Sequence, residues 1–205
     1  MADRAQRLMV LAAAGFAAAA ALVWAVALRT AGGVRLDAHA LVDFMDIGKH
    51  GANLPAEVFV RLADPVPFAL LSGAVLTVAL VRGGVRLAAI LGVGVLGACL
   101  TTQLLKQLTA DPRGIELVPY AHVAQAAWPS GHTTGATALA LCLVAVAPAR
   151  LRPHAAVAGA VLAFAVALSV LLLGWHFPSD VLGGFCVAAA WMLCGLAAAG
   201  YPRPT

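Results

Sequence analysis

Residues 65–105 read PVPFALLSGAVLTVALV (65–81), RGGVR (82–86) and LAAILGVGVLGACLTTQLL (87–105). Two apolar runs without a charged side chain flank five residues that carry Arg82 and Arg86. A helix that crosses a bilayer needs roughly 20 predominantly apolar residues, with about 17–25 tolerated. Each run is long enough to cross once, and the pair is too long to cross as one. The stretch therefore predicts two spans joined by a tight basic turn.

Outward from this hairpin, four more runs meet the same test: Leu8–Leu28, Thr133–Ala149, Ala155–Trp175 and Val181–Tyr201. Hydrophobic residues make up 62% of the 205 and charged residues 11%, against roughly 25% charged in a soluble domain. Such a chain cannot keep its apolar surface out of water, whereas a bilayer can accept it. No linker or shift in composition divides the sequence. Residues 1–205 are expected to form one all-α domain, a membrane bundle of six transmembrane helices. Abundant alanine and glycine suit close helix approach in lipid. Leu8–Leu28 has a second reading as a signal peptide, with Arg4 and Arg7 ahead of it and Ala25-Val26-Ala27 as a cleavage site. Its apolar core exceeds the usual 7–15 residues or so of a signal sequence, which favours a retained helix.

Lysine and arginine are enriched in cytoplasmic loops. Arg82/Arg86 and Arg150/Arg152 mark two short turns without acids, and Arg4, Arg7 and Arg203 fall on the same side. Asp37, Asp43, Asp46, Glu57 and Asp64 collect on the other. Both termini are thus expected in the cytoplasm of a cell-membrane protein, with the 30–64 loop, the 106–132 loop and the 176–180 turn facing outward. Within the first of these, Leu36–Ile47 has the pattern of a helix lying along the interface, and a structural or substrate-gating role is expected for it. The net charge of +4 is modest, and without a basic run it lacks the footprint of a nucleic-acid binder. Cys99, Cys142, Cys186 and Cys194 lie in apolar runs without C-x-x-C or histidine spacing. They read as small buried hydrophobes, and no metal or other cofactor is implied.

On this topology Lys106, Arg113, Ser130, Gly131, His132, His176 and Asp180 all fall at outer helix ends or in outer loops. Ionisable groups at membrane depth are costly and commonly functional. Pro129-Ser130-Gly131-His132 opens a span, where unsatisfied N–H donors and the positive helix end form an anion site. Gly131 lets an anion approach the backbone closely; Ser130 can alternatively serve as an ordinary helix cap. His176 and Asp180 share a face at i,i+4 if their turn is helical. Asp180 then accepts from one imidazole nitrogen and leaves the other unprotonated, as a nucleophile requires. A solvated end-cap is the plainer alternative for that histidine. Lys106 and Arg113, two cations on an acid-rich face, ask for an anionic ligand, although Lys106 could instead snorkel to the headgroups.

Taken in order, Lys106-x6-Arg113, Pro129-Ser130-Gly131-His132 and His176-x3-Asp180 resemble the motifs of the type 2 phosphatidic acid phosphatase family. The resemblance covers roughly residues 60–200 and includes the Pro178-Ser179-Asp180-Val181-Leu182-Gly183-Gly184 continuation. It implies a six-helix membrane lipid phosphatase that needs no metal and works through a phosphohistidine. His176 would attack phosphorus, Asp180 would orient it, and His132 would protonate the leaving oxygen. Lys106, Arg113, Ser130 and Gly131 would hold the phosphoryl oxygens. The implied substrate is a lipid-linked phosphate: a polyprenyl, glycerolipid or glycolipid monophosphate or diphosphate. A phosphotransferase using the same intermediate and a non-catalytic lipid-phosphate binder are the rivals; vanadate-dependent haloperoxidases share the motifs but are soluble. The sequence departs from the family pattern twice. Gly114 stands where the family has proline after its arginine, and Val170 stands where an arginine normally follows the serine of the third motif.

Overall fold

A computed structural model describes residues 2–110 and 114–200. Its helices are α1 (Ala2–Arg29), α2 (Ala31–Ile47), α3 (Asn53–Arg61), α4 (Pro65–Leu108), α5 (Gly131–Val146), α6 (Arg152–Leu172) and α7 (Pro178–Ala198). There is no strand among the described residues. Four helical segments, Arg4–Arg29, Pro65–Leu108, Ala149–Leu172 and Pro178–Ala198, are long and apolar enough to cross a membrane. The chain is an all-helical membrane protein.

The 44 residues of α4 would run about 66 Å as one straight helix, twice the roughly 30 Å core of a bilayer. They do not run straight. Gly84 has φ 72° and ψ −177°, a region open essentially to glycine alone. In a continuous helix Leu76 and Gly92 would stand about 24 Å apart. Instead, a Cβ placed on Gly92 would lie 3.8 Å from Leu76 Cδ1. The chain doubles back at Gly84, and the expected runs 65–81 and 87–105 are the two arms of a hairpin.

Other expected boundaries shift for local reasons. The run Thr133–Ala149 is helical only to Val146: Ala147 is extended, at ψ 141°, because the residue before Pro148 is barred from helix. The run Ala155–Trp175 stops at Leu172. There Gly174 takes φ 66° and its N–H bonds Leu171 O, while Trp175 N–H bonds Val170 O. That pair of bonds is a Schellman stop, and it lifts Trp175 and His176 out of the helix. The end of the last run, Tyr201, lies outside the described residues. The 30–64 region is far more helical than a loop: α2, a π-helical turn at Gly48–Ala52 and α3 fill most of it.

The bundle is built around α7, which contacts α1, α2, α4 and α5. Its interior is made of small side chains. Ala138, Cys142 and Ala145 of α5 meet Ala188 and Met192 of α7 and Leu91 and Val95 of α4. On α1 the buried positions Ala13, Ala20 and Ala27 recur every seven residues, a ridge that brings its backbone close to its neighbours. Small contacts suit lipid, where tight packing rather than exclusion of water drives helices together.

Candidate active site

The N-termini of α5 and α7 meet at one point. Ser130 is the N-cap of α5, its Oγ accepting from Thr133 N at 3.4 Å. Its own N–H donates to Asp180 O at 2.8 Å. The approach is possible because Gly183 and Gly184 have no side chains: a Cβ on Gly184 would sit 2.7 Å from Ser130 O, and one on Gly183 would sit 2.7 Å from Trp128 Nε1.

His176 does not lie on a helix face. Helix α7 begins at Pro178 with Phe177 as N-cap, so the expected i,i+4 arrangement is replaced by a reach back from its first turn. Asp180 Oδ2 accepts from Phe177 N at 2.9 Å and faces His176 Nδ1 at 3.2 Å. An ionised carboxylate is only an acceptor, so this contact suits the tautomer with its proton on Nδ1. Asp180 is wholly buried and His176 nearly so. A further carboxylate secures this turn from α2: Asp37 accepts from Ser179 N at 2.9 Å and from Ser179 Oγ at 2.5 Å. Asp37 is itself buried, which gives the 30–64 region a structural tie to the site.

A cavity of about 400 Å³ opens in front of His176, between the arms of the α4 hairpin and α5. Lys106, Gly131, His132 and His176 line it, with Phe68 and Cys99 on the side that leads along α4. The two histidine rings are 6.4 Å apart, centre to centre. His132 Nε2 lies 3.4 Å from Asp64 Oδ1, and its ring is 5.8 Å from that of Trp175. The space a Cβ would fill at Gly131 is open, so the backbone there is bare to a ligand. Thr102 and Thr134, hydrogen-bonded at 3.1 Å, tie the second arm of α4 to α5 at the cavity wall.

Of the residues singled out from sequence, Lys106, Gly131, His132 and His176 thus share one cavity, and Asp180 stands directly behind His176. Ser130 is not among the residues that line the cavity: it is fully buried, its N–H donates to Asp180 O and its Oγ accepts from Thr133. Arg113 lies outside the described residues. All four cysteines are free, Cys142 buried and Cys194 exposed, so Cys194 departs from the expected buried state. Among the described residues no group of three or more His, Cys, Asp or Glu comes together as metal ligands would. Both departures from the family pattern have a structural setting. Gly114 has φ 62°, which proline, fixed near −65°, cannot adopt. Val170 is fully buried in an apolar cluster with Val60, Leu171 and Val181, away from the cavity lining. Asp37, Asp64 and Trp175 are the site neighbours that the motifs did not mark.

The model of the PAP2 superfamily matches residues 87–203 of this chain, which carry all three motifs. The chain belongs to the PAP2 superfamily. None of the curated proteins compared with it matches. Among solved structures it is similar to a transmembrane PAP2-type phosphatidylglycerolphosphate phosphatase from Bacillus subtilis, with a TM-score of 0.72 at 18% identity over 93% of this chain and 97% of that one. At that identity the likeness is one of fold.

Proposed function

We propose that the protein is a membrane lipid phosphatase that removes phosphate from a polyprenyl, glycerolipid or glycolipid phosphate through a phosphohistidine. The observation that carries the reading is the placement of His176. Asp180 holds its Nδ1, a second histidine faces it across a cavity, and Lys106 and the open Gly131 backbone supply cationic and N–H contacts. In this reading Nε2 of His176 attacks phosphorus, a P–N bond forms and the P–O bond to the lipid breaks. His132, within hydrogen-bond reach of Asp64, gives its proton to the departing lipid oxygen. Water then attacks phosphorus, His132 takes back a proton, and the P–N bond breaks to release inorganic phosphate. Lys106 and the Gly131 N–H stabilise the charge that gathers on the phosphoryl oxygens. No step asks for a metal ion.

The same reading makes the chain a single membrane unit crossing six times, as α1, the two arms of α4, α5, α6 and α7. It has cytoplasmic termini and an outward-facing cavity in the cell membrane. The charge asymmetry of the turns supports that orientation, and the setting of the cavity beside the α4 hairpin suits a substrate that arrives from within the bilayer.

The test is phosphate release by purified protein across a panel of lipid monophosphates and diphosphates, phosphatidylglycerolphosphate among them, with and without acceptor alcohols. Release should persist in EDTA and be inhibited by orthovanadate, whose trigonal adduct on histidine mimics the transition state. Label from the substrate should be trapped on His176 under acid-free quenching, and His176→Ala should abolish turnover. Wild-type rates in His176→Ala would sink the mechanism. Loss of activity on chelation, restored by one divalent metal, would sink its metal independence.

A further inference from the structure

At the end of α5 remote from the histidines, about 24 Å along its 16 residues, lies a second cavity of about 420 Å³. It sits between the hairpin turn of α4, the α5–α6 turn and the end of α7. Arg82, Arg86 and Arg152 line it over apolar walls that include Leu87, Ile90 and Val146, and no acidic residue contributes to the lining. The proposed reaction makes no use of it. We propose that this cavity binds the phosphate-bearing headgroup of an anionic phospholipid from the leaflet opposite the catalytic cavity, with the start of an acyl chain on the apolar wall.

The argument begins with the arginines. A guanidinium offers five donors in a planar fork that matches two phosphate oxygens. Arg152 directs its Nε to Ala147 O at 3.4 Å, so part of it serves the end of α5. Arg82 and Arg86 make no hydrogen bond or ion pair among the described residues. Cations at short cytoplasmic turns also set membrane orientation, but that role needs only charge on the correct side. Arg150 supplies such charge from the same turn as Arg152, yet does not line the cavity. The convergence of three guanidiniums from two turns on one hollow goes beyond what orientation requires. The composition of the hollow then selects the ligand. A free phosphate ion gains nothing from Leu87, Ile90 and Val146, whereas a phospholipid presents its anionic head and its apolar chain together. The volume falls within the range of roughly 300–1,000 Å³ typical of small-ligand sites.

The experiment is native mass spectrometry of the full-length protein purified with equal parts of phosphatidylglycerol and phosphatidylcholine. Arg82→Gln, Arg86→Gln, Arg152→Gln and Arg150→Gln are compared with wild type. Lipid held at the catalytic cavity is common to all five. Retention of phosphatidylglycerol should fall about tenfold in each of the first three, as for loss of a charged hydrogen bond, and hold in Arg150→Gln. Equal loss in Arg150→Gln, equal retention of phosphatidylcholine, or no retained lipid in wild type would overturn the proposal. So would displacement of the lipid by millimolar inorganic phosphate, which would make this a free-anion site. For any variant that fails to insert, a photoactivatable phosphatidylglycerol on the wild-type protein gives the same answer: labels on Leu87 or Ile90 support the site, and labels elsewhere alone refute it.

Discussion

Val170 occupies the place where the family resemblance calls for an arginine, and its surroundings say what an arginine would meet there. It is fully buried among Val60, Ala167, Leu171 and Val181, and it does not itself line the cavity that holds the histidines. Overpacking alone should destabilise Val170→Arg by about 1–3 kcal/mol, and a charge without a partner adds to that. Thermal unfolding in detergent should shift downward and kcat/KM should fall. A rise of about tenfold or more, equivalent to about 1.4 kcal/mol in the transition state, would mean that the guanidinium had reached the phosphoryl group after all. The motif residues were legible because each sits in a short pattern whose chemistry is local: histidine before a helix, aspartate in its first turn, glycine at an anion-binding terminus. Asp37 and Asp64 carried no such mark. Each is one carboxylate among several in the 30–64 region, and only the packing of α2 on α7 and of α4 on α5 decides which of them is buried and which meets a histidine.

Among elements, the contact that matters most is the one between the first turns of α5 and α7. Gly184→Ala would press a methyl group to 2.7 Å from Ser130 O, a backbone atom that cannot swing aside. The two helices must part, at a cost of about 1–3 kcal/mol, and the Ser130–Asp180 bond lengthens with them. Turnover should drop more than substrate binding, because Asp180 and His176 move while Lys106 stays in place; an unchanged kcat would show that the junction tolerates separation. The tie from α2 predicts a related result. Asp37→Ala leaves Ser179 N–H and Oγ without their acceptor in a buried place, a loss of about 1–3 kcal/mol, and should lower both the unfolding temperature and kcat. Asp37→Asn, which can still accept one of the two bonds, should recover part of each, and the absence of any recovery would count against this role. The Gly183-Gly184 pair was visible in sequence as part of a motif. What it packs against was not, since Trp128 and Ser130 come from a segment with no periodic pattern of its own.

Across the whole molecule, the hydropathy of the six runs anticipated the helices because crossing a bilayer imposes one length and one composition on every span. It misplaced their ends, which are set by single residues such as Pro148 and Gly174. It also read the 30–64 region as mostly loop, since a short helix half in polar surroundings has neither the length nor the uniform apolarity that hydropathy detects. Orientation can be tested with accessible positions from opposite ends: Tyr120 is 83% exposed and Val85 73% exposed. With the four native cysteines replaced, Tyr120→Cys should react with an impermeant maleimide on intact cells and Val85→Cys should react only after lysis; the reverse pattern would turn the catalytic cavity to the cytoplasm. The junction of α5 with α7 has one more consequence at this scale. Helix α5 presents its positive end to the cavity at Gly131, while the turn that opens α7 gives its N–H groups to Asp180 and Asp37, and the small residues at the junction hold the two helices close. The field at the cavity is therefore a standing property of the folded chain, established during assembly in the membrane and present before any anion arrives. A phosphate group that enters has no dipoles to reorient, and the free phosphate left behind after reaction meets the same attraction as the substrate did. Departure of the product is then the step that this architecture does least to assist.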